Sequence, residues 1–516
     1  MAVRPSIDVQ MQFSGSAGAW TSVRTDLRTP LRVEYGIQGT GPNDRVAGTG
    51  TLAFALNNGQ NNSAKLIGYY APGHTNARSG FELGIGVRLA ITYSGSTFYK
   101  FRGVLDAIDP MPGQYRDRIT YCTAVDWMDE AARHKLKGIP IQLFQRADQL
   151  IDDVVTNMSK RPAASSLSVA QTEYPFALDT AKDENTTALA EFQRIANSDL
   201  GYIFLRGDTS TGGVLTFHDR RRRMNPGSAS TTLSNNMVEM QARRGRALVG
   251  NRIRTIIHPR RVDTTTSTVL FSLEQQAKPS VQTGCSITLI GNYTDPALRA
   301  QRVGGASMVD PVSGTDYTFG SDEFDTSYTA SLTVTASYGA NTVFYTLTNA
   351  GSVTGVVSKL QARGAGIYDY GELAIEATSG CSAAAYGENL VAFDMPYEYQ
   401  QHAGKGIADY ELFNRKDPRY AIEQLTFVAN ENASLMEAAL RREPGDLVQV
   451  TEAATGISAS QFFIQGVTLD GGIPDILSCA WTVMARTDPT DYWMLDVDKL
   501  GVTAADSGSQ YAVLGI

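Results

Sequence analysis

Cysteine and histidine, the residues that most often build metal and redox sites, are scarce in this sequence. Its 516 residues include four cysteines and five histidines. The cysteines lie roughly a hundred or more residues apart, too far for a CxxC metal clip or a dense disulfide framework, at Cys122, Cys285, Cys381 and Cys479. The histidines are isolated and form no HExxH motif. We therefore expect buried free thiols, no metal and no cofactor.

The sequence also lacks the short motifs of common enzymes. No GxxxxGK[ST] stretch is present to hold a nucleotide phosphate. The nearest approach to a GxSxG nucleophile elbow is Gly456-Ile457-Ser458-Ala459-Ser460, which fails at its last position. These absences favour a protein that is not an enzyme.

Long apolar runs are missing as well. No stretch of 18 apolar residues occurs, and near the start Ile7 and Val9 alternate with Asp8 and Gln10. We therefore expect neither a secretory signal nor a membrane span, and synthesis in a cytoplasm.

Charged residues make up only 19% of the chain, whereas glycine occurs 48 times and tyrosine 23 times. Helical bundles need more lysine and glutamate on their exposed faces, so this composition favours short strands and turns. The length corresponds to roughly three or four domains of about 150 residues each. We predict a mainly β protein with several packed cores.

Apolar side chains alternate with a period of two through the first quarter of the chain, which is typical of half-buried strands. The alternating sets are Ile7, Val9, Met11 and Phe13; Leu31, Val33, Tyr35 and Ile37; Leu52, Phe54 and Leu56; and Val87, Leu89, Ile91 and Tyr93. Residues 1–125 are predicted to form a first β-domain, an antiparallel β-barrel or β-sandwich.

The period then changes to that of a helix. A short helix is predicted over 126–132, and a second carries the apolar stripe Ala147, Leu150, Ile151, Val154 and Met158. A third begins after Thr187, a good N-cap, and ends near Gly201. Two strands follow, so residues 126–235 are predicted to form a small α+β domain with two or three helices.

Strand patterns resume beyond this module and surround an insertion. Residues 236–280 and 401–490 are predicted to form one second β-domain. The insertion, 281–400, has turn signals at sandwich-like spacing and is predicted to be an inserted β-sandwich-like domain. Residues 491–516 are interpreted as a C-terminal extension.

Charge is distributed unevenly along the chain. The segment 281–400 has twelve acidic and four basic residues, a net charge of −8, whereas 220–261 has eleven arginines and one glutamate, a net charge of +10. The candidate site residues lie in the basic segment: Arg220, Arg221, Arg222, Arg223, Arg243, Arg244, Arg246, Arg252 and Arg254. Guanidinium groups bind phosphates, but Arg252 and Arg254 share one face of a strand, and no aromatic residues are interleaved for base stacking. We favour contacts with carboxylates of a neighbouring subunit, or with the channel, over contacts with DNA.

Three weaker possibilities come from acidic and aromatic residues. Neighbouring carboxylates are candidates for glycosidase chemistry, namely Asp106 with Asp109, Asp152 with Asp153, and the group Asp322, Glu323 and Asp325. The last group is also a candidate for calcium, although it lacks the alternating oxygen-ligand pattern of a calcium loop. Within the insertion, Tyr317, Tyr328, Tyr338 and Tyr345 are candidates for stacking on sugars.

Several short segments, in order along the chain, resemble the baseplate-hub or tail-tip (minor tail) proteins of long-tailed bacteriophages. The segments are Trp20-Thr21-Ser22-Val23, Gly48-Thr49-Gly50-Thr51-Leu52, Tyr99-Lys100-Phe101-Arg102-Gly103-Val104, Ala124-Val125-Asp126-Trp127, Gly201-Tyr202-Ile203-Phe204, Leu215-Thr216-Phe217-His218-Asp219-Arg220, Leu360-Gln361-Ala362-Arg363-Gly364, Ala385-Tyr386-Gly387-Glu388-Asn389 and Trp493-Met494-Leu495-Asp496. Their order, more than any one of them, makes the resemblance.

The resemblance implies two related β-barrels per subunit and a homotrimer that forms a pseudo-sixfold ring around a DNA exit channel. It implies as partners the distal tail or tail tube protein, the tape measure protein and a central fibre or spike, with transient contact to genomic DNA. The location would be the tip of the virion tail. The long acidic insertion departs from the family pattern.

Two other functions stay open from the sequence. One is a tail protein that recognises a host-surface glycan or receptor through residues 281–400. The other is a cell-wall hydrolase that uses one of the carboxylate pairs.

Overall fold

The structure of the protein is a computed structural model. It describes residues 3–15, 18–112, 118–179, 183–224, 227–273, 278–419, 421–472 and 475–486. The predicted C-terminal extension, 491–516, with its Trp493-Met494-Leu495-Asp496 segment, lies outside the described residues.

Seven antiparallel strands form the first β-half, which we define as residues 3–126. They are β1 (Ser6–Met11), β2 (Thr21–Ser22), β3 (Leu27–Gly36), β4 (Thr51–Asn57), β5 (Gly86–Tyr93), β6 (Ser96–Pro110) and β7 (Ile119–Asp126). Their order in the sheet is β3-β4-β7-β6-β5-β1-β2. The alternation in the sequence sets the buried face, since Ile7, Val9 and Met11 of β1 are all buried.

A compact α+β module follows, residues 127–224. Its elements are α1 (Trp127–Arg133), β8 (Lys135–Lys137), β9 (Gln145–Arg146), α2 (Ala147–Asn157), β10 (Ala164–Leu167), β11 (Glu173–Tyr174), β12 (Asp183–Thr187), α3 (Ala188–Asp199), β13 (Tyr202–Arg206), β14 (Val214–His218) and α4 (Arg220–Met224). All three predicted helices are present. The Thr187 hydroxyl accepts a hydrogen bond from the Ala190 amide at 3.2 Å, and Leu200 ends α3 in the left-handed conformation.

The next part of the chain contributes β15 and β16 to the large sheet and its other strands to three smaller groups. Its elements are β15 (Thr231–Ser234), β16 (Glu239–Arg243), β17 (Arg252–Ile257), β18 (Arg260–Val262), β19 (Thr268–Ser272), β20 (Ser280–Val281), β21 (Ser286–Asn292), β22 (Arg302–Val309), β23 (Tyr317–Gly320), β24 (Leu332–Tyr338), β25 (Thr342–Asn349), β26 (Gly355–Asp369), β27 (Leu373–Thr378), α5 (Gly380–Tyr386), β28 (Leu390–Met395) and α6 (Gln401–Arg415). β17 lies between β27 and β28. The long strand β26 pairs with β18, β19, β20, β22 and β23, and β25 pairs with β21 and β24. Phe319, Tyr345 and Leu347 belong to the separate core of these last two groups.

This pairing differs from the predicted division of the chain. The sequence interpretation assigned residues 236–280 to the second β-domain. In the structure, β17 pairs with residues 373–395, and β18 and β19 pair with residues 361–369 of β26. Alternation predicts which face of a strand is buried but not which partner it pairs with. The domain limits themselves stay predictions.

The last strands form the second β-half together with β15 and β16. They are β29 (Ala421–Val428), β30 (Leu447–Glu452), β31 (Ile457–Gly472) and β32 (Ile476–Ala485), with α7 (Ala433–Arg441) packed on them. The order β16-β29-β32-β31 continues directly into β3, so the two halves form one sheet of 13 strands. A single core spans both halves and includes Phe54 and Trp481.

The mainly β fold class is therefore confirmed, whereas two separate β-barrels are not observed. Among the described strands no sheet closes on itself, because β3 pairs with β31 from the other half. Gly36 permits this approach, since its φ is +91° and an added Cβ would lie 2.6 Å from the Gln465 carbonyl oxygen.

A buried ion pair also joins the two halves to the α+β module. Lys100 Nζ contacts the Glu443 carboxylate and donates to the carbonyl oxygens of Leu440 and Arg442 at 3.1 and 3.3 Å. Glu443 also accepts from the Tyr35 hydroxyl at 2.9 Å and from the Gly207 amide at 3.0 Å. The two β-halves and the α+β module thus each contribute a hydrogen bond to this pair.

The cysteine prediction is half confirmed. Cys122 and Cys479 are buried free thiols, and burial raises the pKa of Cys122 to about 12. Cys285 and Cys381 are exposed, because one lies in the turn before β21 and the other in the first turn of α5. In the part of the chain that the structure describes, no helix has both the length and the apolar character needed to cross a membrane.

Candidate functional site

The arginine run after β14 folds into the short helix α4. Asp219 precedes the first residue of this helix, and its carboxylate accepts a hydrogen bond from the Arg222 amide at 3.2 Å. Residues three apart lie on the same face of a helix, so Arg220 and Arg223 point inward while Arg221 stays exposed. The sequence analysis proposed that these arginines contact a neighbouring subunit or the channel, but Arg220 and Arg223 are buried.

Arg223 is held between aromatic rings in the interior. It is 7% exposed, and its guanidinium lies 3.3 Å from the centre of the Tyr202 ring and 5.1 Å from that of Phe463. It donates to the Gln465 side-chain oxygen at 3.0 Å, but Nε and Nη1 have no hydrogen-bond partner among the described residues. Burial lowers the pKa of Arg223 to about 10, so the group is still a cation at neutral pH.

Arg220 lies beside another buried charge. It donates to the Thr172 hydroxyl at 2.9 Å. Burial raises the pKa of the Asp199 carboxyl to about 7, although the Arg220 charge acts in the opposite direction. This carboxyl is therefore close to its titration point at neutral pH.

A third buried arginine comes from the loop after β3. Arg45 is 3% exposed, donates to the Leu200 carbonyl oxygen at 2.8 Å, and lies 3.7 Å from the Glu411 carboxylate. Its Nε, like two nitrogens of Arg223, has no partner in the described structure.

These side chains line a cavity where the first β-half, the α+β module, α6 and the second β-half meet. We call it the junction cavity, and its volume is about 210 Å³. Six arginines line it, namely Arg45, Arg220, Arg223, Arg415, Arg419 and Arg486. Three carboxylates line it as well, namely Glu411, Asp417 and Glu423. The lining is therefore strongly cationic.

The other predicted arginines are distributed over two places. Arg243, Arg244 and Arg246 are exposed at the end of β16 and just after it. Arg252 and Arg254 share a strand face as predicted, but both pair with Glu376 of the same chain, and Arg252 also pairs with Glu388. Hydrogen bonds from these two arginines lower the pKa of Glu376.

The sequence prediction missed several residues that complete the cavity. Arg45, Tyr202, Phe463 and Arg486 come from distant segments, and no local pattern connects them. Only the fold brings them to the arginines of α4.

The carboxylate candidates do not gather into a site. Asp106, Asp109 and Asp152 are exposed, and burial raises the pKa of half-exposed Asp153. Asp325 accepts from the Ser321 amide and hydroxyl, both at 2.9 Å, within one turn. In the described ranges, no three His, Cys, Asp or Glu residues are placed to hold a metal ion.

The four tyrosines of the insertion do not form one surface. Tyr317 and Tyr345 are 8% and 1% exposed and belong to the core of the inserted strands. Tyr338 donates its hydroxyl to the Val309 carbonyl oxygen at 2.7 Å, and Tyr328 is exposed. Core packing therefore explains the presence of Tyr317 and Tyr345.

No protein-family model and no curated protein matches this sequence. Solved structures of similar outline include the tail protein from Neisseria meningitidis MC58, with 9% identity, a TM-score of 0.49, and coverage of 94% of this chain and 97% of that one. The 43 kDa tail protein of prophage MuSo2 from Shewanella oneidensis has 9% identity, a TM-score of 0.48, and coverage of 93% and 98%. The prophage tail protein gp18 from Listeria monocytogenes EGD-e has 9% identity, a TM-score of 0.42, and coverage of 92% and 94%. At this identity no residue role is transferred to this chain.

Proposed function

We propose that this protein is a structural component of the tail tip, or baseplate hub, of a long-tailed bacteriophage. Three copies form a ring that joins the hexameric tail tube to a threefold tip and surrounds the DNA exit channel. The protein acts through its shape and carries out no reaction. It is made in the host cytoplasm and works in the virion.

The observation that supports this proposal best is the fusion of two β-halves side by side. Strands from the beginning and the end of the chain share one sheet of 13 strands and one core. Three such subunits around an axis would present six β-halves, which is the number that a sixfold tube offers. The ordered sequence resemblance to hub proteins points the same way.

The exposed arginines are the proposed contact points between subunits. Arg221, Arg222, Arg243 and Arg246 lie on the surface, where they can reach carboxylates of a neighbour. The distal tail or tail tube protein, the tape measure protein and a central fibre or spike are the proposed partners, with transient contact to genomic DNA. Glycan recognition by residues 281–400 is an alternative that the buried Tyr317 and Tyr345 do not favour.

The test is the oligomeric state of the purified chain, measured by light scattering and by electron microscopy of negatively stained particles. We expect threefold rings at micromolar concentration. The double variant Arg243→Glu and Arg246→Glu should increase the fraction of monomer at least tenfold, because the introduced carboxylates would face acidic residues of the neighbour.

Arg161→Glu is the matched control, since Arg161 is exposed but lies outside the basic segment. It should form rings as the unmodified chain does. A stable monomer that clears peptidoglycan would contradict the proposal, and so would glycan binding by particles without threefold symmetry.

A further inference from the structure

The lining of the junction cavity has more arginines than carboxylates. Six arginines and three carboxylates line it. Glu411 is shared, since it lies 3.7 Å from Arg45 and accepts from Arg415 at 2.8 Å. A cavity with excess guanidinium groups attracts anions from solution, and its low-dielectric walls strengthen the attraction.

Two nearly buried arginines of the cavity lining have nitrogens without hydrogen-bond partners among the described residues. Arg223 is 7% exposed, and Arg45 is 3% exposed. Nε and Nη1 of Arg223 and Nε of Arg45 lack hydrogen-bond partners among the described residues. A buried donor without an acceptor is destabilising, and more so if it is charged, so an acceptor that reaches these groups binds favourably.

The chemistry of the donors selects the kind of ligand. Guanidinium groups present several donors in one plane, which suits the oxygens of phosphate or carboxylate. The Tyr202 and Phe463 rings hold the Arg223 guanidinium in place, so little rotational freedom is left to lose on binding. Leu200 and Val483 also line the cavity.

We propose that the junction cavity is an oxyanion-binding site that takes a phosphate or carboxylate group, whose oxygens accept hydrogen bonds from Arg223 and Arg45. The site is independent of the proposed ring, because both arginines belong to the interior of one chain. The group comes either from a free anion or from an acidic side chain of a bound polypeptide.

Isothermal titration calorimetry of the full chain distinguishes the two sources. One arm uses inorganic phosphate, with chloride at matched ionic strength as its control. The other arm uses a tetra-aspartate peptide, with tetra-asparagine as its control. Saturable binding of phosphate assigns a free anion, and binding of tetra-aspartate alone assigns an acidic side chain.

Arg223→Gln should weaken the observed binding about tenfold to a hundredfold, because it removes a charge-assisted hydrogen bond. Arg221→Gln is the matched control, since Arg221 lies two residues earlier in α4 but is exposed, and it should bind as the unmodified chain does. Arg419→Gln tests the site without disturbing the interior, because Arg419 lines the cavity from an exposed position, and it should weaken binding about threefold.

The proposal is overturned if neither probe binds above its control. It is also overturned if Arg419→Gln and a folded Arg223→Gln both bind as tightly as Arg221→Gln.

Discussion

Two buried cations at the same junction have opposite surroundings. Lys100 is 1% exposed, and its ammonium group has three acceptors from the chain, one of which is the Glu443 carboxylate. Arg223 is 7% exposed and has one neutral acceptor, Gln465. The hydrogen bonds of Lys100 are therefore all made within the chain, and Lys100 has a structural role. Arg223 has nitrogens without acceptors, and we assign it to the binding of a ligand.

The largest effect is expected from disrupting the pair of Lys100 and Glu443. Lys100→Met would leave the Glu443 carboxylate buried without its cation, which typically costs about 3–5 kcal/mol of stability. Chemical denaturation should show this loss in the transition of the joined β-halves. Lys160→Met is the control, because Lys160 is exposed, and it should change the stability by less than about 0.5 kcal/mol. Equal stability of the two variants would mean that the Lys100 pair does not hold the junction together.

A smaller effect is expected from the buried carboxyl group of Asp199, which lies beside Arg220. Asp199 has a pKa of about 7 in the folded protein, raised by burial, whereas its ordinary value is 3.8. Between these values the folded state binds more protons than the unfolded state, so this carboxyl lowers the stability as the pH rises from about 4 to 7. Asp199→Asn should remove this contribution, on the order of a few kcal/mol at neutral pH.

The measurement is the free energy of unfolding of both proteins from pH 4 to pH 8. The difference between Asp199→Asn and the unmodified chain should increase with pH and level off above pH 7. Asp152→Asn, at an exposed position, is the control and should give no such increase. A difference that does not vary with pH would contradict the raised pKa of Asp199.

The smallest effect concerns a half-buried pair between these extremes. Arg206 contacts Asp446 at 2.7 Å, and the two side chains are 23% and 19% exposed. Arg206→Gln should lower the stability by about 1 kcal/mol, since solvent screens part of the interaction. Arg221→Gln, which is exposed, should stay within about 0.5 kcal/mol of the unmodified chain. If Arg206→Gln costs as much as Lys100→Met, burial does not set the strength of these pairs.

Local patterns in the sequence predicted local structure well. The apolar stripe of α2 and the Thr187 cap of α3 depend on residues within one or two turns, so they can be read directly. The helix α7 was not predicted, although the sequence contains a signal for it. Asn432 precedes an apolar helical stripe, and its side-chain oxygen accepts a hydrogen bond from the Leu435 amide at 2.9 Å. By contrast, α6 contains Gly404 and Gly406, which disfavour a helix. Tertiary packing overrides this preference, since an added Cβ on Gly404 would lie 2.9 Å from Ile257.

Contacts between residues that are far apart in the chain could not be predicted from the sequence. The basic segment was visible, yet Arg220 and Arg223 turn inward because α4 is helical, and Arg252 finds its carboxylates in its own chain. The junction cavity includes Arg45 from the loop after β3 and Phe463 from β31, two strands that pair although they are far apart in the chain. A pattern of alternation contains no information about that pairing.

The pairing of β3 with β31 also sets the order in which the protein can be completed. Leu31 lies opposite Gly471, so the ribosome must make nearly the entire chain before the edge of β3 finds its neighbour. Until then the nascent first half exposes unpaired backbone groups that can associate with other chains. We therefore expect production of this protein to depend strongly on temperature and on chaperones during translation, and a chain truncated before residue 457 to accumulate as insoluble material.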